Sequence, residues 1–340
     1  MAKQRSGTPR LEEVAALAGV GRGTVSRVIN NAVGVKDSTR RAVERAITEL
    51  GYVPNQAARS LAARRADAVA LAMTETDWRR FGEPFFSEIV CAVSDALAGT
   101  DIQLLLTLVR TDAERRRFVE YARAGRIDGV LLMSLHGGDP LPDMLAGLRL
   151  PTVLLGRRRG DERVSYVDAD NVGGARDAVG HLLARGRTAV AAITGPLDMY
   201  VARCRLRGYE EALRRAGRRS GPSWVAEGDF SEESGRRAMA GLLRRHPEID
   251  AVFAASDTMA AGALHVLRAS GRRVPEDVAV IGFDDFLLAQ HTDPQLTTVR
   301  QPVTEIGRAM VRLLLEELGH ASGAWRHVVL PTELVLRDSA

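Results

Sequence analysis

From Ala68 onward the chain alternates short apolar runs with longer amphipathic stretches of helical period, and no other feature constrains its fold as strongly. Apolar runs at 68–74, 102–109 and 127–134 enclose helical patterns at 88–97 and 114–124. Strand, helix, strand in that order argues for a parallel sheet covered by helices. The pattern restarts at 171–184 and continues through 188–194, 202–216, 224–228, 233–246, 251–256, 258–269 and 278–283. Two α/β units of similar size are therefore expected, joined at 164–170 and again near 297–301 and facing each other across a cleft. Loops at the carboxyl ends of parallel strands are where such folds meet ligands, so the cleft is the expected ligand site.

The first 65 residues read differently. Within Leu11–Asn31, Val14, Leu17, Ala18, Val20, Val25, Val28 and Ile29 supply apolar positions at helical spacing, and Gly19 stands where a first helix must stop and reverse. The second helix carries Arg22, Thr24, Ser26, Arg27 and Asn30, groups able to reach phosphates or base edges. This is the pattern of a helix-turn-helix; the competing reading is a solvated amphipathic helix of an unrelated helical domain. Charge separates the two. Residues 1–65 carry a net charge of +7 and the remaining 275 carry −3, the footprint of a DNA-binding head on a non-binding body. A third helix over 36–50, with Val43, Ala46, Ile47 and Leu50 in one stripe and Gly51 as its cap, should close the head. Tyr52–Asn55 then breaks the helix, and the Ala-rich segment 56–65 is too short to be helical alone.

Composition excludes several classes. At 340 residues, with 45% hydrophobic and 26% charged, the chain can bury large cores, and no segment offers the roughly 20 apolar residues of a membrane span. Neither an apolar leader nor a terminal heptad run is present, so a cytoplasmic protein without a tetramerising coiled coil is expected. Cys91 and Cys204 are too few for a disulfide framework or metal cluster, and both are expected to be buried thiols. The histidines are scattered, and neither a Gly-x-Ser-x-Gly elbow nor a phosphate-binding Gly-rich loop occurs. Gly19, Gly21 and Gly23 lie in a helix turn and not after a strand. No cofactor, metal or catalytic centre is expected.

Residues 11–61 closely resemble the headpiece and hinge of the lactose-repressor (LacI/GalR) family of transcription factors in Val14-Ala15, Ala18–Val20, Thr24–Asn30, Leu50–Asn55 and Ala58–Leu61. Residues 66–340 resemble the family's effector domain, itself similar to a periplasmic sugar-binding protein, in Pro84–Phe86, Ile127–Val130, Gly195-Pro196, Gly228–Phe230, Asp257–Ala260 and Ile281–Asp285. Gly19–Asn30 and Glu83–Phe86 look similar to the actinobacterial cellobiose-repressor type. The resemblance implies an all-α helix-turn-helix headpiece (1–54), a hinge (55–65) and an α/β effector and dimerisation domain (66–340). That domain would comprise two Rossmann-like subdomains of periplasmic-binding-protein type I, one of 66–168 with 297–325 and one of 169–296 with 326–340.

Carried over residue by residue, Arg22, Gly23 and Arg27 fall where the family reads bases, and Thr24, Ser26 and Asn30 where it touches the DNA backbone. Two arginines able to pair bidentately with guanine favour a G·C-rich half-site. Leu61, flanked by Asn55 and Ala58, matches the minor-groove wedge of a hinge that becomes helical on the operator; alternatively it is a linker residue. Arg10, Gly21 and Lys36 replace the usual Ser or Thr helix caps, so the caps are expected to shift, for example to Thr8 or Asp37, or the headpiece to be of modest stability, with Arg10 and Lys36 free to contact phosphates. In the effector domain Arg205 and Asp284 match the main polar ligand contacts, Phe230 an aromatic wall, Ser256 a hydrogen-bonding position, Phe86 the rim and Asp170 a crossover position. Each has a plainer alternative: Asp284 and Asp257 as helix caps, Arg205 as a surface ion-pair partner, Phe230 as core. The implied function is a homodimeric repressor released from a palindromic operator by a sugar inducer. The alternatives are a corepressor-type regulator answering to a purine or other metabolite, one using a protein coeffector, or a cytoplasmic solute-binding protein.

Overall fold

Three short helices build the headpiece because each offers one apolar stripe to the other two: α1 (Leu11–Leu17), α2 (Arg22–Ile29) and α3 (Asp37–Leu50). In this computed structural model residues 9–29, 32, 34–52, 65–74, 84–218, 221–319 and 324–340 are described, and the chain divides into two compact units after Ala66. Val14, Val25 and Val43 are fully buried at the headpiece centre, with Ala15, Val28 and Ala46 around them. Leu17, expected in that core, is 47% exposed. Gly19 at φ 67° makes the turn between α1 and α2, and Gly51 at φ 62° ends α3, conformations that cost glycine little.

The caps do not shift to Asp37. Lys36 is the N-cap of α3 and Arg10 that of α1, and neither side chain caps its helix. Glu13 reaches back instead to accept from the Arg10 amide at 3.1 Å, and the Gly21 carbonyl accepts from Thr24 and Val25 at the start of α2. Asp37 opens α3 as its first helical residue, where a carboxylate favours the helix dipole. Thr8 lies outside the described residues.

The larger unit holds two lobes. The first is a six-stranded parallel sheet, ordered β11-β5-β4-β3-β1-β2, of β1 (Ala68–Met73), β2 (Gln103–Leu108), β3 (Gly129–Met133), β4 (Thr152–Leu155), β5 (Ser165–Ala169) and β11 (His327–Leu330). Helix α4 (Pro84–Leu97) and helix α12 (Val303–Gly319) pack together over one face through Ile89, Val93, Ile306, Met310 and Leu314. Helices α5 (Asp112–Arg123) and α6 (Leu141–Ala146) complete this lobe.

The second lobe is a four-stranded parallel sheet, ordered β7-β6-β8-β9, of β6 (Val190–Thr194), β7 (Val225–Glu227), β8 (Ala251–Ala254) and β9 (Ala279–Ile281). Strand alternation sorts its helices. Val190, Ala192, Ala251 and Phe253 pack under α7 (Asn171–Ala184) and α8 (Tyr200–Arg215). Ala191, Ile193, Val252 and Ala254 pack under α9 (Glu232–Arg245) and α10 (Asp257–Ala269). A short α11 (Leu287–His291) follows β9.

Two expected boundaries need correction. Residues 327–330 do not join the second lobe: they pair with β5 and form an edge of the first sheet. Residues 297–300 do not join the first: β10 (Thr298–Arg300) pairs with β12 (Glu333–Val335) and is bridged to the second lobe at Ile281–Thr297 and Asp284–Arg300. Pairing between strands about 160 residues apart leaves no local trace in sequence. Cys91 is also corrected, being exposed on α4, whereas Cys204 is buried. No described helix is long and apolar enough to cross a membrane.

Candidate functional site

In the headpiece, helical period turns Val25 and Val28 inward and leaves Arg22, Gly23 and Arg27 exposed, with Thr24 and Ser26 half-buried beside them. Arg22 pairs with Glu12 of α1 at 3.1 Å, and both side chains are largely exposed. A Cβ on Gly23 would meet nothing within 4 Å, so a partner's backbone or base can approach closely there. Arg10 and Gly21 are exposed where α1 and α2 begin. Asn30, Asn55, Ala58 and Leu61 lie outside the described residues.

Between the two lobes lies a cleft of ≈ 950 Å³, open mouth included. Along it runs a continuous chain of six polar side chains. Arg157 Nε donates to Asp168 at 3.0 Å, Asn171 Nδ2 to Asp168 at 2.9 Å, and Arg205 Nε to Asn171 Oδ1 at 2.9 Å. Arg205 Nη1 then donates to Asp284 at 3.3 Å and to the Ala255 carbonyl at 2.5 Å, and Gln301 Nε2 donates to Asp284 at 2.7 Å. Arg157 and Asp168 belong to the first lobe, Asn171, Arg205 and Asp284 to the second, and Gln301 to a crossover.

Arg205 is 4% exposed, which removes the surface-ion-pair alternative, and its guanidinium carbon lies 3.7 Å from the centre of the Phe283 ring. Burial works against its charge while Asp284 and Asp168 support it. Burial likewise raises the carboxyl pKa of Asp168, opposed by Arg157. Beneath the site Asp257 is driven well up by burial and then by Asp284, and it accepts from Thr298 at 2.5 Å and from the Phe286 amide at 3.0 Å.

The backbone is also specialised here. Ser134, Phe230 and Asp284 line the cleft at φ values of 61°, 69° and 117°, conformations that side-chain-bearing residues hold only when their surroundings enforce them. Phe230 lies against Gly195 so closely that a Cβ there would stand 2.1 Å from the ring, which accounts for the glycine. Phe86 and Ser256 line the cleft as expected. Ser256 also caps α10, accepting from the Met259 amide at 3.2 Å, which leaves its hydroxyl hydrogen available.

Asp170 is the exception: exposed, absent from the cleft wall, it caps α7 by accepting from the Gly173 amide at 2.8 Å. Asp168, two residues earlier on β5, takes the place expected for it. Sequence reasoning also missed Arg157, Asn171, Gln301, Phe85 and Phe286. A charged residue inside the apolar run Ser165–Ala169, at the carboxyl end of a strand, was the available signal for Asp168. Arg157 offered none, standing among three consecutive arginines.

A site with two guanidiniums balanced by two carboxylates, amide donors and aromatic rings suits a neutral polyhydroxylated ligand. The sequence profile of the bacterial regulatory proteins of the lacI family matches residues 10–55, and that of the periplasmic binding protein-like domain matches residues 179–340. The HTH-type transcriptional regulator CelR of Thermobifida fusca is 50% identical over 338 residues, 99% of either chain. The chain belongs to the LacI family. It is a transcriptional repressor of that family, similar also to the repressor CytR of Escherichia coli K12, at 34% identity over 99% of this chain and 98% of CytR. Among solved LacI-family structures, a CelR–cellobiose complex superimposes with a TM-score of 0.78 at 49% identity, over 98% of this chain and 100% of that one. A lac repressor dimer bound to operator and the anti-inducer ONPF superimposes at 0.87 with 29% identity, over 98% and 99%.

Proposed function

We propose that the protein is a cytoplasmic homodimeric repressor that holds a palindromic operator with two headpieces and releases it when a neutral sugar, cellobiose the first candidate, enters the cleft. It carries out no catalytic step. The observation supporting the ligand class is the charge-balanced polar chain from Arg157 to Gln301, which offers hydrogen bonds without an excess charge to attract a phosphorylated compound. A solved structure 49% identical to this chain is described as a CelR–cellobiose complex. Arg22 and Arg27 read guanines, Gly23 admits the base edges, and Arg10, Gly21, Thr24, Ser26 and Asn30 face phosphates. Asn55, Ala58 and Leu61 form the hinge and wedge in the minor groove. Phe86 and Phe230 take the sugar faces, with Ser256, Arg205 and Asp284 on its hydroxyls.

Dimerisation is supported by edge strand β2, where Leu105, Leu106 and Leu108 are 37%, 53% and 40% exposed, an apolar edge that a lone chain would present to water. Two heads about one DNA turn apart then match a symmetric site. Ligand and operator oppose each other through one coupling free energy, so each weakens the other by the same factor.

The test is titration of a labelled duplex carrying the gene's upstream palindrome, with and without cellobiose, at two salt concentrations. Expected are a salt-sensitive preference for the palindrome over a scrambled duplex and its loss on adding cellobiose. Tightening by cellobiose would reverse the sign and make it a corepressor. No preference under any condition would sink the reading.

A further inference from the structure

The stretch 198–203, leading into and opening α8, meets the first lobe in a seam beside the polar chain. His136 Nδ1 lies 2.6 Å from Asp198 Oδ2, the Gly137 amide donates to the Asp198 carbonyl at 3.0 Å, and Arg203 Nη2 donates to the Arg158 carbonyl at 3.0 Å. Within this seam Tyr200 turns its ring to Arg157, whose guanidinium carbon is 5.0 Å from the ring centre, with that of Arg203 at 5.4 Å. Arg157 is otherwise held by its own lobe: Nε by Asp168, Nη1 by the Tyr166 hydroxyl at 3.0 Å, and its guanidinium carbon 4.8 Å from the centre of the Tyr166 ring. Tyr166 in turn stacks on His327 with centres 4.2 Å apart.

We infer that Tyr200 is a positioning residue for effector binding, acting through Arg157. Tyr200 does not line the cleft, whereas Arg157 does. With Nε and Nη1 committed to the first lobe, Nη2 is the nitrogen left for a ligand. Tyr200 adds to the Tyr166 ring of the first lobe a second aromatic ring, this one from the second lobe, by cation–π attraction. Arg157 is therefore held from both lobes only while the seam is closed, and ligand grip and lobe closure reinforce each other. The same segment carries Met199 and Val201 into the cleft wall, and Arg205 lies further along the same helix, so movement of the seam is felt directly at the site.

The ligand half of this inference rests on the cellobiose reading, and the experiment separates the two. Full-length wild type, Tyr200→Ala and Tyr200→Phe are titrated calorimetrically with cellobiose. Exchange of the Gly137 amide, which reports the seam itself, is followed by mass spectrometry without ligand. Tyr200→Ala should weaken cellobiose binding about tenfold and speed Gly137 exchange about tenfold, the scale of one partly buried cation–π contact. Tyr200→Phe keeps the ring and should restore both. Wild-type values in Tyr200→Ala, or equal losses in both variants, would overturn the inference. If wild type does not bind cellobiose, the ligand reading fails separately, and unchanged Gly137 exchange in Tyr200→Ala still overturns the seam.

Discussion

In the headpiece the arginines proposed to meet DNA are exposed: Arg22 has an exposed carboxylate 3.1 Å away, and Arg27 lies on the outer face of α2. In the cleft the corresponding arginine, Arg205, is buried, with three hydrogen-bond partners and a ring beneath it. An exposed ion pair is worth about 0–1 kcal/mol, so exchanging Glu12 for another partner would cost Arg22 little. A buried guanidinium is different, because its removal strands the carboxylates that it neutralises. The exposed polar face of the head is thus held loosely, whereas the polar chain of the cleft is held by its own contacts. Substitutions in the head should change recognition and spare stability; substitutions in the cleft should change both.

The severest challenge to that contrast is Arg205→Ala. It should abolish sugar binding and lower the unfolding free energy of the effector unit by about 3–5 kcal/mol in denaturant titrations. A cost under about 1 kcal/mol would erase the difference. Arg27→Ala should cost about 1–3 kcal/mol at one base-pair position in operator competition assays, with unfolding unchanged within about 0.5 kcal/mol. Paired glycine variants sharpen the comparison. Gly195→Ala drives a methyl into Phe230 and should destabilise by about 1–3 kcal/mol while weakening the sugar. Gly23→Ala meets open space and should stabilise α2 by about 0.5–1 kcal/mol in thermal melts of the full chain.

The smallest effect is a slope. Burial holds the Asp257 carboxyl above its unfolded value near 3.8, so the folded state binds that proton more tightly. Its contribution is complete below that pH and is lost as pH rises toward the elevated folded value. Asp257→Asn should flatten this decline; an unchanged difference between the two stability curves from pH 4 upward would assign the slope to other groups.

The alternation of apolar runs exposed the core of both lobes, because a parallel sheet buried on both faces writes itself into consecutive residues. The helix-turn-helix was legible for a similar reason: its core positions and glycine turn fall within about twenty residues. Asp168 was displaced by two positions in the reading, since a helix cap and a site carboxylate carry the same residue type and only the fold shows which one points inward. Arg157 and Gln301 were missed because their roles are created by neighbours far away in sequence. Cys91 was misplaced because apolarity of the side chain says nothing about which face of α4 it occupies.

The last strands of the chain are shared out between both lobes: 327–330 extend the first sheet, 333–335 pair beside the second, and Ser339 hydrogen-bonds Thr297 and Val280. During synthesis neither lobe can therefore be finished until residues 327–339 have left the ribosome. A protein truncated near residue 325 would lack an edge strand of the first sheet and the partner of β10 at once, leaving unpaired strand edges open to chaperones and proteases.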